Sequence, residues 1–425
     1  MSKIELLSPA GTLKNMRYAF AYGATAVYAG PPRYSLRVRN NEFHYENLAI
    51  GIREAHELKK KFYVVINLTP HNAKVKTFIQ DIKPIIELNP DAMIISDPGL
   101  IMLVRDFFPT IPIHLSVQAN AVNWATVIFW EKIGLNRVIL SRELSLIEIE
   151  EIRQRVPNIE LEVFVHGAIC MAYSGRCLIS HYLNKRDPNQ GACTNICRWK
   201  YKIQEDKIDN ISYIRNDKVF LIKNNDRAPY NEMTAFEDEH GTYIFNSKDL
   251  QAVMHIEKLI KIGVNSFKIE GRTKSVYYCA RTAQIYRSAI NDANKGKPFD
   301  VALVQQLKGL SHRGYTEGFL RRNNTEILQN YEDNYSNHIF QQFVGEFTGK
   351  RQGELAQIIV KNKFIQGNKL EIITPYSDNI TFTLNIMFND KLQPIRVAPG
   401  NGHIVWIQIP SKLIKLDFAL LISYL

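Results

Sequence analysis

Short runs of β-branched and apolar residues recur at regular intervals through the first two thirds of the chain, each followed by a helical pattern. Strands are predicted at Ile4–Leu7, Ala26–Ala29, Phe62–Asn67, Ala92–Ser96, Ile113–Val117, Arg137–Leu140, Leu161–Val165 and Ser266–Ile269. Amphipathic helices such as Asn47–Lys60, Asn123–Ile133 and Leu146–Arg155 lie between them. Strands that are apolar on both faces belong in a parallel sheet covered by helices. Eight such units match the size of a (β/α)8 barrel, roughly 250 residues. A doubly wound open sheet is the alternative, but no G-x-G-x-x-G follows a strand and no G-x-x-x-x-G-K-S/T occurs.

The rhythm breaks between the seventh and eighth strands, where far more chain intervenes than one helix needs. The insertion, 167–245, carries Cys170, Cys177, Cys193 and Cys197, four of the five cysteines, and then a polar stretch, Gln204–Glu239. A helix over Ser247–Lys261 is expected to restore the barrel rhythm. After helices at Thr273–Asn294 and Val301–Leu307, a polar linker spans 321–340. The pattern then changes to alternation with glycine turns, at Glu354–Val360, Lys369–Thr374, Ile380–Leu384 and His403–Ile409. The expected architecture is a TIM-like barrel over 1–320 with a Cys-rich insertion, and a small all-β barrel over 341–425.

Composition limits the classes. With 45% hydrophobic and 22% charged residues the chain is not disordered. No apolar stretch reaches the ~18 residues of a membrane span. Met1-Ser2-Lys3-Ile4-Glu5 lacks the apolar run of a secretory signal, so a cytoplasmic, reducing location is expected. The formal charge is +11, which attracts polyanions at long range. The basic clusters, such as Lys59-Lys60-Lys61 and Lys185-Arg186, read as solvated surface or as contacts to a phosphate backbone.

Working residues of such barrels project from the C-terminal ends of strands. Those ends carry Ser8, Tyr28, Asn67, Asp97, Gln118, Asn120, Arg142, Glu143, His166, Glu270 and Arg272. Ser8 and Asp97 read equally well as caps of the next helix. The strongest constellation is Cys170-x6-Cys177-x15-Cys193-x3-Cys197, whose four thiolates can converge on one metal or cluster. The spacing is neither a zinc ribbon nor a ferredoxin run. A four-thiolate iron–sulfur cubane, structural zinc and plain packing all remain open. Cys279, mid-helix, reads as packing. Lys185, Arg186, Arg198 and Trp199 beside the cysteines suit an anionic or nucleobase ligand. His56-Glu57-Leu58-Lys59-Lys60 lacks the second histidine of a zinc protease helix, and there is no G-x-S-x-G elbow.

Glu5-Leu6-Leu7-Ser8-Pro9-Ala10-Gly11, Tyr28-Ala29-Gly30, Phe164-Val165-His166-Gly167-Ala168, Tyr173-Ser174-Gly175-Arg176-Cys177, Cys193-x3-Cys197-Arg198-Trp199 and Lys268-Ile269-Glu270-Gly271-Arg272 resemble the collagenase-like peptidase family, family 32 of the U class. Pro9–Ala21, Tyr34–Arg39, Lys185–Arg198 and His312–Gly318 are similar to its tRNA-hydroxylating members. The resemblance implies prephenate-dependent formation of 5-hydroxyuridine at the tRNA wobble position without molecular oxygen. It also implies a 4Fe–4S cluster on the four cysteines, and a C-terminal β-barrel like that of translation factors that serves as a tRNA platform.

On that reading Arg37, Arg39, Arg142, Arg176 and Arg272 are candidates to bind the dicarboxylate donor prephenate through bidentate forks. Gln118 and Asn120 are candidate substrate contacts. His166 and Glu270 are the expected proton-transfer groups. A peptidase, or a non-catalytic RNA-binding protein with structural zinc, are the competing functions. No protease mechanism is visible in the sequence.

Overall fold

A computed structural model describes residues 4–36, 41–170, 172–177, 179–198, 201–205, 218–224, 232–238, 241–242, 247–321 and 340–425. The first part alternates β1 (Glu5–Pro9), α1 (Leu13–Ala21), β2 (Ala26–Ala29), α2 (Tyr45–Glu57), β3 (Lys61–Ile66), α3 (Asn72–Val75), α4 (Phe78–Glu87) and β4 (Ala92–Ile95). It continues with α5 (Pro98–Phe107), β5 (Ile113–Leu115), α6 (Trp124–Lys132), β6 (Arg137–Ile139), α7 (Leu146–Arg155) and β7 (Glu160–Ala168). The insertion holds α8 (Ile179–Asn184) and an antiparallel sheet of β8 (Tyr201–Glu205), β9 (Lys218–Asn224), β10 (Glu232–Asp238) and β11 (Gly241–Thr242). The chain re-enters through β12 (Asp249–Gln251), α9 (Ile256–Ile262), β13 (Ser266–Ile269), α10 (Val276–Asn294), α11 (Ala302–Lys308) and β14 (Tyr315–Thr316).

Strands β1 to β7 pair in parallel, each with the next, and β13 pairs in parallel with both β1 and β7. The ring is therefore closed: all eight expected strands form the barrel. Several of its helices begin where side chains cap them. Thr12 caps α1, Asp97 caps α5 with Pro98 following, and Ser145 with Glu148 forms a capping box on α7. Asp97 is thus a cap, whereas Ser8 is buried in β1 and caps nothing. The helix expected over Ser247–Lys261 is shorter. Asp249–Gln251 is instead a strand, antiparallel to the end of β7 and parallel to β14, because backbone groups beyond the barrel proper still need partners. Among the described residues no helix is long and apolar enough to cross a membrane.

The C-terminal unit is antiparallel: β15 (Gln341–Gln352), β16 (Leu355–Val360), β17 (Phe364–Ile365), β18 (Lys369–Ile373), β19 (Ile380–Thr383), β20 (Met387–Asn389), β21 (Val397–Ala398), β22 (Ile404–Gln408) and β23 (Leu420–Tyr424). Seven of these form one sheet in the order β19-β18-β23-β15-β16-β22-β20. The unit has its own core around Val344, Ile358, Leu370 and Leu421. It is also docked on α1 and α10. Ile373, Leu420 and Ile422 join the barrel's core, buried Arg281 pairs with Glu371 at 3.2 Å, and Tyr22 donates to the carbonyls of Ile373 and Phe418, both at 2.9 Å.

Candidate active site

Each barrel strand turns alternate side chains inward, so β7 offers Glu162 and Phe164 to the interior and β13 offers Lys268 and Glu270. Lys268 donates to Glu162 Oε1 at 2.8 Å, and its ammonium lies 4.3 Å from the centre of the Tyr28 ring. Burial pushes its pKa below the usual lysine value, against the raising influence of Glu162. Above it, Arg142 lies flat on Phe164, 3.8 Å from the ring centre. Arg142 donates to Glu270 Oε2 at 3.3 Å and to the Ala168 carbonyl at 3.4 Å. Tyr28 donates to the Ile269 carbonyl at 2.8 Å and stands 3.5 Å from Glu270 Oε2.

These side chains form the floor of a cavity of about 440 Å3 at the C-terminal mouth of the barrel. Its roof is the Cys-rich insertion: Cys170, Cys177, Cys193 and Cys197 all line it, with Tyr173–Arg176, Asn189 and Asn195. The roof is tied to the barrel wall. The Thr69 amide donates to the Asn189 carbonyl at 3.2 Å, and Asn120 Nδ2 donates to the Ser174 carbonyl at 3.0 Å. None of the four forms a disulfide, and the Asn195 amide points at Cys193 Sγ from 3.4 Å. Cys279 is remote, buried against Asn15 and the Pro9 carbonyl, and burial pushes its thiol up to about 12.

Of the sequence-predicted residues, Arg142, Arg176, Gln118, Glu270, Arg272 and the four cysteines line the cavity. Arg272 is turned sideways. Its fork donates to Ser35 Oγ and the Leu36 carbonyl, and Asn67 accepts from the Leu36 amide at 3.1 Å, so Arg272 and Asn67 together hold the loop after β2. Asn120 acts from behind the wall, through Ser174. Lys185 and Arg186 are exposed on the insertion, away from the cavity lining. Arg37, Arg39 and Trp199 lie outside the described residues, as does the Arg198 side chain.

The expected juxtaposition of His166 with Glu270 at the mouth does not form. The pairing of β7 with β13 shifts register between Lys268 and Ile269, so that Ile269 rather than the next inward residue faces His166. That bulge turns the imidazole to the outer side of the barrel. There it packs between Tyr278, Tyr286 and Tyr315, with ring centres 5.5–5.7 Å away. Burial, with smaller contributions from Lys274 and His312, lowers its pKa to about 3. Gly167, at φ +108°, allows the close approach beside the bulge: a Cβ there would sit 2.6 Å from the Glu270 carbonyl.

Lys268 and Phe164 were not among the candidates. The signal was present, because Lys268 lies on β13 two residues before Glu270, at the strand's end, and an alternating pattern puts both on one face.

A closed (β/α)8 barrel with a thiol-lined, arginine-flanked cavity at its C-terminal mouth defines a barrel enzyme with its site where such barrels place them. Residues 11–330 match Peptidase family U32 and residues 340–421 match the C-terminal domain of that family. The chain belongs to this family. It is 64% identical to tRNA hydroxylation protein P of Escherichia coli (strain K12), over 99% of this chain and 97% of that one. It is 61% identical to the Haemophilus influenzae protein of the same name, over 100% and 96%. A 23S rRNA 5-hydroxycytidine synthase of Escherichia coli is 29% identical, over 76% of this chain and 46% of its own length.

Proposed function

We propose that this protein is a tRNA-modifying enzyme that hydroxylates the wobble uridine at C5, taking the hydroxyl from prephenate rather than from molecular oxygen. The observation that carries the reading is the convergence of four cysteines with Arg142, Lys268 and Glu270 on one cavity, in a chain whose full-length relatives are named for tRNA hydroxylation. A volume of about 440 Å3 suits a small organic ligand. Arg142, stacked over Phe164 and paired with one carboxylate among the described residues, is the fork for a donor carboxylate. Lys268 adds positive charge from the floor. Glu270, between Arg142 and Tyr28, holds or accepts a proton at Oε2.

The four cysteines fit a 4Fe–4S cluster. None is in a disulfide, they share one cavity, and a backbone amide is directed at Cys193 Sγ, the kind of hydrogen bond that tunes a cluster's potential. No three of the described His, Cys, Asp or Glu side chains close on a single ion position. All four cysteines line the one cavity. Such a cluster supplies a Lewis-acidic or electron-carrying centre when bound. tRNA would lie across the mouth, the exposed Lys185 and Arg186, and the C-terminal unit, with the salt sensitivity of phosphate contacts.

The peptidase reading has less support: among the described cavity-lining residues none is a histidine that could activate a thiol. The test is nucleoside mass spectrometry of tRNA incubated anaerobically with purified protein and prephenate, with iron and sulfide analysis. About four irons per chain are expected, lost in each single Cys→Ala variant of the four and kept in Cys279→Ala. Zinc in place of iron, or hydroxylation that ignores prephenate, would overturn the cofactor or the donor respectively.

A further inference from the structure

We propose that the turn Tyr173–Arg176 is a nucleobase platform, with Tyr173 stacking the target base at the cavity opening and Arg176 taking the adjoining phosphate. The inference rests on the RNA-modifying reading and adds the residue that receives the base. Tyr173 lines the cavity yet is 51% exposed, and its ring meets no aromatic or cationic partner among the described residues. A bare aromatic face at the rim of a cavity marks a contact surface rather than core.

The turn that carries this ring is nonetheless fixed. The Arg176 amide donates to the Tyr173 carbonyl at 3.0 Å, closing the turn. Asn120, itself left-handed at φ 52°, donates from Nδ2 to both the Ser174 and the Gln118 carbonyls at 3.0 Å. Gly175 lies flat on Gln118 at φ +74°, where any Cβ would come within 3.0 Å of the Gln118 side chain. The end of β5 thus sets the height and tilt of the turn. An aromatic group that is positioned by the scaffold and half exposed is preorganised for stacking, and bases stack on such rings whatever their sequence.

The wall beneath supplies a polar edge. Gln118 lines the cavity, its Oε1 accepts from Ser116 Oγ, and its Nε2 meets no acceptor among the described residues, leaving a donor for a base carbonyl. Arg176, exposed on the same turn, projects from the rim where the backbone flanking a flipped base would pass.

The test uses cofactor-loaded full-length protein and an anticodon stem-loop RNA, with and without the target base. Tyr173→Ala is expected to weaken binding of the intact stem-loop by about tenfold, the scale of one lost base–aromatic stack, while Tyr173→Phe stays within ~2-fold. Against the abasic stem-loop, wild type and Tyr173→Ala should bind alike, because ring and base form one interacting pair. Iron content and the prephenate half-saturation should not move, and Tyr173→Leu keeps the comparison available should Tyr173→Ala lose iron. Equal losses for Tyr173→Ala with intact and abasic RNA would overturn the platform while leaving RNA modification intact. Absence of stem-loop binding by wild type would overturn the RNA reading and the platform with it.

Discussion

At the N-terminal end of the barrel Arg137 donates to Glu5, to Glu160 at 2.6 Å and to Glu162 at 2.9 Å, while Tyr63 and Ser266 complete the hydrogen bonding of Glu5. At the C-terminal end Arg142 has one carboxylate among the described residues, Glu270, at 3.3 Å, and a cavity above it. Both ends pair an arginine on or just after β6 with glutamate. At the closed end each charge meets enough partners to offset its desolvation, so the network acts as a plug. At the open end Arg142 donates to Glu270 and to the Ala168 carbonyl and also faces a cavity that a ligand can enter. Lys268 stands between the two, paired to Glu162 below and lining the cavity above.

The sharpest way to break this comparison is to truncate the two arginines separately. Arg137→Ala leaves Glu5 buried without its arginine and Glu162 with Lys268 alone, and should cost about 3–5 kcal/mol in urea unfolding. Arg142→Ala should cost about 1 kcal/mol, since the cavity admits water to Glu270, while hydroxylation falls at least ~100-fold. Similar destabilisation by both would erase the distinction between plug and site.

A second expectation concerns His166, which stands outside both ends. The unfolded chain protonates this histidine near 6.5 and the folded protein only near 3. Its folded-state pKa is lowered, so its contribution is complete above 6.5 and is lost as the pH falls toward 3. The loss amounts to about 2 kcal/mol by pH 5, at 1.4 kcal/mol per unit. Unfolding midpoints of wild type and His166→Phe across pH 5–8 measure it. Parallel profiles would refute a buried neutral imidazole and reopen its part in proton transfer.

The smallest effect is expected at Arg272, a mouth residue whose donors are already taken by Ser35 and Leu36. Arg272→Lys cannot span both acceptors and should lose about 1 kcal/mol, with faster tryptic cleavage at Arg33 in the loop it holds and only a few-fold change in hydroxylation. Loss of activity with an unchanged loop would instead place the donor on Arg272.

The four cysteines were legible because their spacing follows directly on a strand end, and Arg142 and Glu270 because strand ends of a parallel barrel face one opening. His166 was misplaced by the same logic. It ends a strand in sequence, but a bulge of one residue reverses the face, and no local pattern announces a register shift set by the neighbouring strand. Asn120 reads in sequence as a ligand contact, yet its reach to Ser174 depends on a pairing between segments 54 residues apart.

Read alone, the chain determined the periodic strands and helices, the interrupted seventh unit, the alternating C-terminal segment and the thiol set. These follow from local patterning, since the burial demands of a strand or helix are written at intervals of two or about 3.6 residues. Tertiary structure decided which charges are plugged and which are open, which way Arg272 and His166 turn, and that the roof of the cavity is pinned through Asn120 and Thr69. Those outcomes depend on closure of the barrel, which brings β13 against β1 and β7 and lets distant side chains compete for the same partners.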